Sequence, residues 1–472
     1  MKPSLYWPFA LFFGWMLSFP LSGPVLYQLA TARGFNGDEW GLLFALFHAL
    51  GFFGIGLSNF SESFWRKVPF WSCLICLSGT AAVWFVPPQC GAYLMALMGC
   101  SASFYVMGCA ICYTASIRTN RTRFMALVIL LANVIVYIFN LLSGWVPPGL
   151  FLGSAVLLLL ISSFLPLRHN AAMEILPPHN SAVGFPRKLL FLICLLIFGL
   201  DINGGFMNQI IFPSLGAGQE INRYYCLLPY MATLLVFLWT RWNRDKMLLV
   251  YLSSAALGLG FVSFALIKPS LFQYLLIDSL ILVGFALLDL FIWVMLGDIA
   301  ANHGRTCRVF GWGLFANVLP LALGGMLGVR LKADVADFHV TVALLAAATI
   351  FLTSILIPAL VSRIQNDLPR REAPRPGAAI APTQPAARSL NGFLQPGMVL
   401  TAREAELLNL ILEGYTNEDI ALQLTISVNT VKVHVKNIIK KFGVATKNEL
   451  LALIIRTYQQ HPFVPGNEKD LA

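Results

Sequence analysis

Charge is what this chain has least of. Only 11% of its 472 residues are Asp, Glu, Lys or Arg, against about a quarter in a soluble globular domain. With 58% hydrophobic residues and a mean hydropathy of +0.73, that deficit points to a polytopic membrane protein. Cysteine is missing from the last third of the chain, and all nine lie between Cys73 and Cys307, in or beside apolar runs. Cys73/Cys76 and Cys109/Cys112 have CxxC spacing, but neither pair has His or Cys partners nearby. They read as small buried apolar residues rather than as a metal or redox site. Enzyme signatures are missing too: no phosphate-binding loop, no HExxH, no kinase-like histidine box. No enzymatic activity, cofactor or metal is expected. No receiver domain or soluble ligand-binding domain precedes the C-terminal segment. The first apolar segment has no small-residue cleavage pattern and reads as a retained span.

What is present is a series of apolar segments near the 20 residues a helix needs to cross a bilayer. Twelve are expected, at about 5–30, 39–60, 68–87, 90–116, 123–144, 148–167, 188–213, 222–241, 246–267, 270–298, 309–329 and 338–362. Trp7, Tyr27, Trp40, Trp65, Trp145, Tyr225 and Trp242 fall near their ends, as interfacial aromatics do. With the N-terminus taken as cytoplasmic, the short loops of that side carry 14 Lys and Arg and those of the other side 5. The positive-inside rule then places both termini in the cytoplasm of a bacterium, with the chain in its inner membrane. The longest connection, Arg168 to Arg187, contains Pro177, Pro178 and Pro186 and divides the spans six plus six.

This layout resembles the major facilitator superfamily, whose two six-helix halves pack around a central cavity. The resemblance implies halves at about 1–167 and 188–362. That family's Gly-x-x-x-Asp-Arg/Lys loop between spans two and three is poorly matched by "GLSNFSESFWRK", Gly56 to Lys67. Gly56, Arg66 and Lys67 stand as remnants, with Asn59 where the Asp is sought. The departure bears on transport more than on fold.

After the membrane domain, 1–362, the apolar periodicity stops. Residues 363–399 hold Pro369, Pro374, Pro376, Pro382, Pro385 and Pro396 among Ala, Gly and Arg, the composition of a flexible linker. Such a tether averages roughly 35 Å end to end and reaches about 120–130 Å at full stretch. A compact helical pattern returns over 400–460, followed by a tail, 461–472. Thr401 with Glu404 three residues on makes a capping box for one helix, which Gly414 ends. Thr416 caps a second, with Ile420, Ala421 and Leu424 on one face. Ser427 caps a third, in which Val431, Val435, Ile438 and Phe442 form one stripe and Lys432, Lys436 and Lys440 another. Two short helices, a turn and a basic third helix make a helix-turn-helix.

The segments "LTAREAELL", "GYTNEDIALQL", "ISVNTVKVHVKNIIKKFGV" and "KNELL" closely resemble the LuxR/NarL-type DNA-binding domain over about 60 residues. Asp419, Phe442 and Lys447 depart slightly from its usual Glu, Leu and Arg. The resemblance implies a four-helix domain whose third helix enters the major groove of double-stranded DNA. Lys432, Val433 and Lys436 would then face base edges or the groove wall, with Thr430, His434 and Lys440 near phosphates. Lys donates to guanine acceptors or neutralises phosphate, and Val meets a thymine methyl. A solvated face is the alternative for the lysines taken singly, and packing against the turn for His434. Residues 432–456 carry six Lys or Arg against one acid, and 401–419 five acids against one Arg, so the domain is polarised. The fourth helix, "KNELLALIIRTY", has more apolar surface than a small core requires. Core packing explains it, or the dimer contact that the resemblance implies.

Charged groups inside spans are costly and often functional. Asp201, Asn208 and Asp289 are candidates for a ligand cavity, with Asp278, Asn203, Asn133, Asn140 and His48 as further polar groups. Interhelical hydrogen bonding is the alternative for each. Asp278 and Asp289 are eleven residues apart and share a face. Asp298 reads as interfacial. The whole is expected to be all-α, a twelve-helix membrane bundle followed by a helix-turn-helix domain. Its expected function is a membrane-anchored one-component transcription regulator, with DNA, lipid and a small-molecule ligand as partners. A working secondary transporter with an autoregulatory domain, and a transporter-like anchor without a ligand, are the alternatives.

Overall fold

The computed structural model describes residues 6–117, 120–164, 186–208, 224–239, 246–266, 270–334, 338–367, 399–412, 417–424, 426–444, 449–450 and 453. Among them every regular element is an α-helix, seventeen in all. They fall into two compact units, Met1–Leu368 and Pro369–Ala472. The linker expected at 363–399 and the fourth C-terminal helix lie almost wholly outside the described residues.

In the first unit the helices are α1 (Tyr6–Ser18), α2 (Pro24–Arg33), α3 (Gly37–Leu57), α4 (Glu62–Ala82), α5 (Pro88–Ser116), α6 (Arg121–Leu142) and α7 (Pro148–Phe164). A second set follows: α8 (Arg187–Phe206), α9 (Leu228–Trp239), α10 (Met247–Leu266), α11 (Leu271–His303), α12 (Thr306–Asp334), α13 (Phe338–Ser354) and α14 (Leu356–Asp367). The first apolar segment, expected as one helix over 5–30, is two. Pro20 and Pro24 lack the N–H that would carry the ladder across, and Ser22 takes a left-handed φ of 53° between them. The last segment bends at Ile355, where Pro358 cannot donate to the carbonyl of Ser354. In contrast, α11 runs on five residues past its expected end to His303, and stops where Gly304 adopts φ 67° as a left-handed cap.

Among the described residues eight helical stretches, one of them Val340–Ile364 across α13 and α14, are long and apolar enough to cross a membrane, with Pro148–Ser163 and Leu228–Trp239 shorter but apolar. Large apolar side chains such as Phe191, Leu344, Phe351 and Trp239 stand exposed on their outer faces, the surface that lipid covers. The expected third segment is displaced to Glu62–Ala82, because Ser61 caps the helix by accepting from the Phe64 N–H. It therefore takes in Arg66 and Lys67 at one end.

Packing within the unit is repeated. In the first set α1 lies on α6 and α7, α3 on α5, and α4 on α5 and α7. In the second set α8 lies on α12 and α13, α9 on α11, and α10 on α11 and α13. Matching α1 to α8, α3 to α9, α4 to α10, α5 to α11, α6 to α12 and α7 to α13 turns one list into the other. The two seams between the sets, α3 with α12 and α6 with α9, exchange under the same matching. The two sets therefore repeat one packing pattern, and the contacts between them exchange with the sets. Close helix approach at the α3–α12 seam depends on small residues: a Cβ on Gly311 would come within 2.6 Å of the Gly56 Cα.

The second unit contains α15 (Ala402–Leu412), α16 (Asn417–Gln423) and α17 (Val428–Lys441). Leu407, Leu408, Ile411, Ile420, Val431, Val435, Ile438, Phe442 and Leu450 form its separate core.

Candidate functional site

The helix-turn-helix is fixed from its caps. The Thr401 backbone N–H and hydroxyl both donate to Glu404 Oε2, at 2.8 and 2.9 Å, and the Glu404 N–H donates back to the Thr401 hydroxyl at 3.3 Å. Ser427 caps α17 by accepting from the Thr430 N–H at 3.0 Å. Arg403 donates to the Leu424 carbonyl at 2.8 Å, which ties α15 to the end of α16. Thr416 and Gly414, expected to punctuate the first two helices, lie outside the described residues.

Burial then selects a face of α17. Val431, Val435 and Ile438 are buried, as their spacing of four and three predicts. Thr430, Lys432, Val433, Lys436 and Lys440 are exposed, whereas His434 is half-buried. Val433 is 57% exposed, an apolar side chain held on an otherwise polar, cationic surface. Asn437 is exposed on the same surface, one turn from Val433, with an amide suited to adenine. The every-four lysine pattern passed over it because it is neutral.

Lys441 does something else. Its ammonium lies 2.6 Å from Glu404 Oε2 and donates to the Val399 carbonyl at 2.8 Å. It clamps the last turn of α17 to the first turn of α15. Burial pushes the Glu404 carboxyl up, but the Lys441 ammonium and the Thr401 donors outweigh it and hold the group below its ordinary value.

In the first unit the candidate carboxylates are brought together from different helices of the second half. Asp201 on α8 accepts from Asn317 of α12 at 2.8 Å. Asp289 on α11 accepts from the Tyr230 hydroxyl of α9 at 2.5 Å. Asp201 lies within electrostatic reach of Asp289, and Tyr230 within reach of both. Asn208 lies beyond the end of α8 and is exposed. Asn203 instead accepts from Thr349 at 3.1 Å. Asp278 shares a helix with Asp289 but is fully buried, and neither of its oxygens has a hydrogen-bond partner among the described residues. His48 is bonded to the Gly99 carbonyl at 3.0 Å, Asn133 donates to Ile129, and Asn140 donates to the Cys226 sulfur across the α6–α9 seam.

One turn past Asp289 the halves meet through rings. Trp293 contacts Phe9 and Phe13 of α1, Tyr113 of α5 and Phe310 of α12, with centroids 5.4 to 6.3 Å apart. Further along α11, Asp298 pairs with Arg121 of the first half at 2.7 Å and with Lys246 of the second. Arg121 is the cross-half partner that sequence periodicity could not supply. These contacts tie the first set of helices to the second.

Residues 398–454 match the family model for bacterial regulatory proteins of the luxR family, so the second unit carries a luxR-type helix-turn-helix. Over 65 residues the chain is 38% identical to the HTH-type transcriptional regulator MalT of Yersinia pestis and of Yersinia pseudotuberculosis. That match covers 14% of this chain and only 7% of each relative, so the chain shares their DNA-binding module and spans a small part of their length. The fold is also similar to the crystal structure of the peptide transporter POT in complex with sulfate, at TM-score 0.53. The superposition covers 77% of this chain and 95% of the transporter at 10% identity. That likeness is one of fold, the transporter-like fold of the first unit.

Proposed function

We propose that this chain is a membrane-anchored one-component transcription regulator. Its C-terminal helix-turn-helix reads DNA in a sequence-specific way, and its membrane domain senses a small molecule. The observation that carries the reading is α17 itself: a capped helix in a luxR-type domain, with Lys432, Val433, Lys436 and Lys440 presented together on one exposed face. In this proposal Lys432, Val433 and Lys436 read the major groove, and Thr430, His434 and Lys440 sit on phosphates. Two copies pair on the DNA, reading half-sites about 34 Å apart. The chain crosses the inner membrane twelve times, with α1–α2 and α13–α14 each counted as one crossing, and both termini face the cytoplasm on the strength of the loop charges. The ligand cavity contains Asp201 and Asp289, whose opposing carboxylates favour a ligand with hydrogen-bond donors. Binding there shifts the two halves between alternative packings.

The first experiment measures operator binding by the fragment 395–472. Lys436→Ala should weaken it by about 1–3 kcal/mol and relax the preference at one base position. Unchanged binding would remove α17 from the groove.

The transporter-like fold supports a second reading, an active secondary transporter whose appended domain regulates its own genes. Solute flux in proteoliposomes separates the two. Substrate-dependent uptake by the full chain favours the transporter, and ligand-dependent reporter output without uptake favours the sensor.

A further inference from the structure

The start of α8 and the end of α14 border a cleft of about 340 Å³, lined by Arg187, Lys188, Phe191, Leu192 and Arg363. It gathers three cations from two helices, and no carboxylate stands among its described lining residues. None of the three cations has an ion-pair or hydrogen-bond partner among the described residues. The backbone adds to the charge. Pro186 precedes α8 and supplies no side-chain cap, and no acid stands in the first turn. The first N–H groups of this 20-residue helix have no acceptor within it and lie at the positive end of its dipole. Arg187 and Lys188 thus occupy a turn better served by Asp or Glu. The positive-inside rule accounts for basic residues at the end of a span. It does not account for a third cation, brought from α14 into the same cleft with nothing to balance it.

Next to the charges the surface turns apolar. Arg187, Phe191 and Leu195 recur every four residues and share a face of α8, and all three are exposed. Phe191 is 66% exposed. Since Arg187–Phe206 is long and apolar enough to cross a membrane, this face runs from the polar boundary into the hydrocarbon. Cations followed by an apolar stripe match the order of phosphate and acyl chain in a phospholipid.

We propose that the cleft holds the headgroup of an anionic phospholipid, with the phosphate on Arg187, Lys188 and Arg363 and one acyl chain along Phe191 and Leu195. Guanidinium groups suit phosphate because they donate paired hydrogen bonds to it. Basic pockets between helices at a membrane boundary take such headgroups. A zwitterionic lipid brings a cation of its own to the cleft, and a soluble anion makes no use of the stripe. A bound lipid ties α14, the last helix of the first unit, to α8. The assignment stands apart from what the second unit binds and from any ligand at Asp201 and Asp289.

The test uses the full chain in phosphatidylcholine nanodiscs, with phosphatidylglycerol replacing the lipid in steps, and reads thermal unfolding of the membrane domain. The wild type should show a saturable rise in Tm. Arg363→Gln should raise the phosphatidylglycerol fraction at half-rise about fivefold, the worth of one basic residue at an anionic surface. Lys67→Gln, which removes an exposed charge from α4 outside the cleft, should leave that fraction unchanged. Glycerophosphoglycerol, the same headgroup without its chains, should give no rise in pure phosphatidylcholine discs. If Arg363→Gln does not fold, Arg187→Gln takes its place. No rise with phosphatidylglycerol, an equal shift in Arg363→Gln and Lys67→Gln, or a rise with the chain-free headgroup would each overturn the site.

Discussion

Lys440 and Lys441 are neighbours in sequence with opposite tasks. Lys440 is exposed on the face of α17 proposed to meet DNA, and Lys441 is turned inward onto Glu404 and the Val399 carbonyl. Helical spacing already separates them, since 432, 436 and 440 share a face and 441 does not. What spacing does not contain is the partner, because Glu404 lies 37 residues earlier. The capping box at Thr401 was legible from local pattern; the ion pair that braces it from a distant helix was not. Glu404 also sets a pH dependence with a definite sign. Its folded value lies below the ordinary one of 4.5, so its stabilisation is complete above that pH and is lost as pH falls through the folded value. Glu404→Gln should cost roughly 1–3 kcal/mol at neutral pH. Urea unfolding of the fragment 395–472 should then show the difference between wild type and variant shrinking from pH 5 toward pH 3. A difference that stays constant over that range would mean the carboxylate is not clamped.

At the scale of the element, α17 is an amphipathic helix whose start depends on one hydroxyl. Ser427 holds the Thr430 N–H and so sets where the exposed face begins. Ser427→Ala should lower the stability of the same fragment by about 0.5–2 kcal/mol. Operator affinity should fall by less once the folded fraction is allowed for, since no groove contact is removed. The membrane helices teach the complementary lesson. Hydropathy locates apolar segments because each must satisfy its own backbone in lipid: among the described residues eight of the expected segments fall on helical stretches long and apolar enough to cross a membrane and two more on shorter apolar helices. Breaks are harder to read. Pro69 and Pro320 sit inside continuous helices, whereas Pro20 and Pro24 divide α1 from α2. The difference is the left-handed Ser22 between the last two, a backbone choice that composition does not announce. The ends of α4 and α11 moved for a local reason as well, a serine cap in one and a glycine cap in the other.

At the scale of the whole molecule, the pairwise packing of the first set of helices recurs in the second, on either side of the long Pro-containing connection that the sequence offers as the divide. The polar constellation was legible only as a set of candidates. Asp201 and Asp289 come together because α8, α9, α11 and α12 converge. Asn208, seven residues on from Asp201, lies past the end of α8. The ring contacts of Trp293 and the Arg121–Asp298 pair join residues more than 170 positions apart, beyond any periodicity. Within the proposed reading, the well-explained module is the DNA-binding one, and the membrane unit supplies location and input. The central claim is that a chain held in the bilayer occupies specific chromosomal sites through α17. Chromatin immunoprecipitation of the full-length chain, with Lys436→Ala compared at equal amounts in the membrane fraction, tests it most directly. The account predicts a small set of sharply enriched sites that share a sequence and vanish in the variant. Enrichment that is absent, or that is the same in wild type and variant, would contradict it.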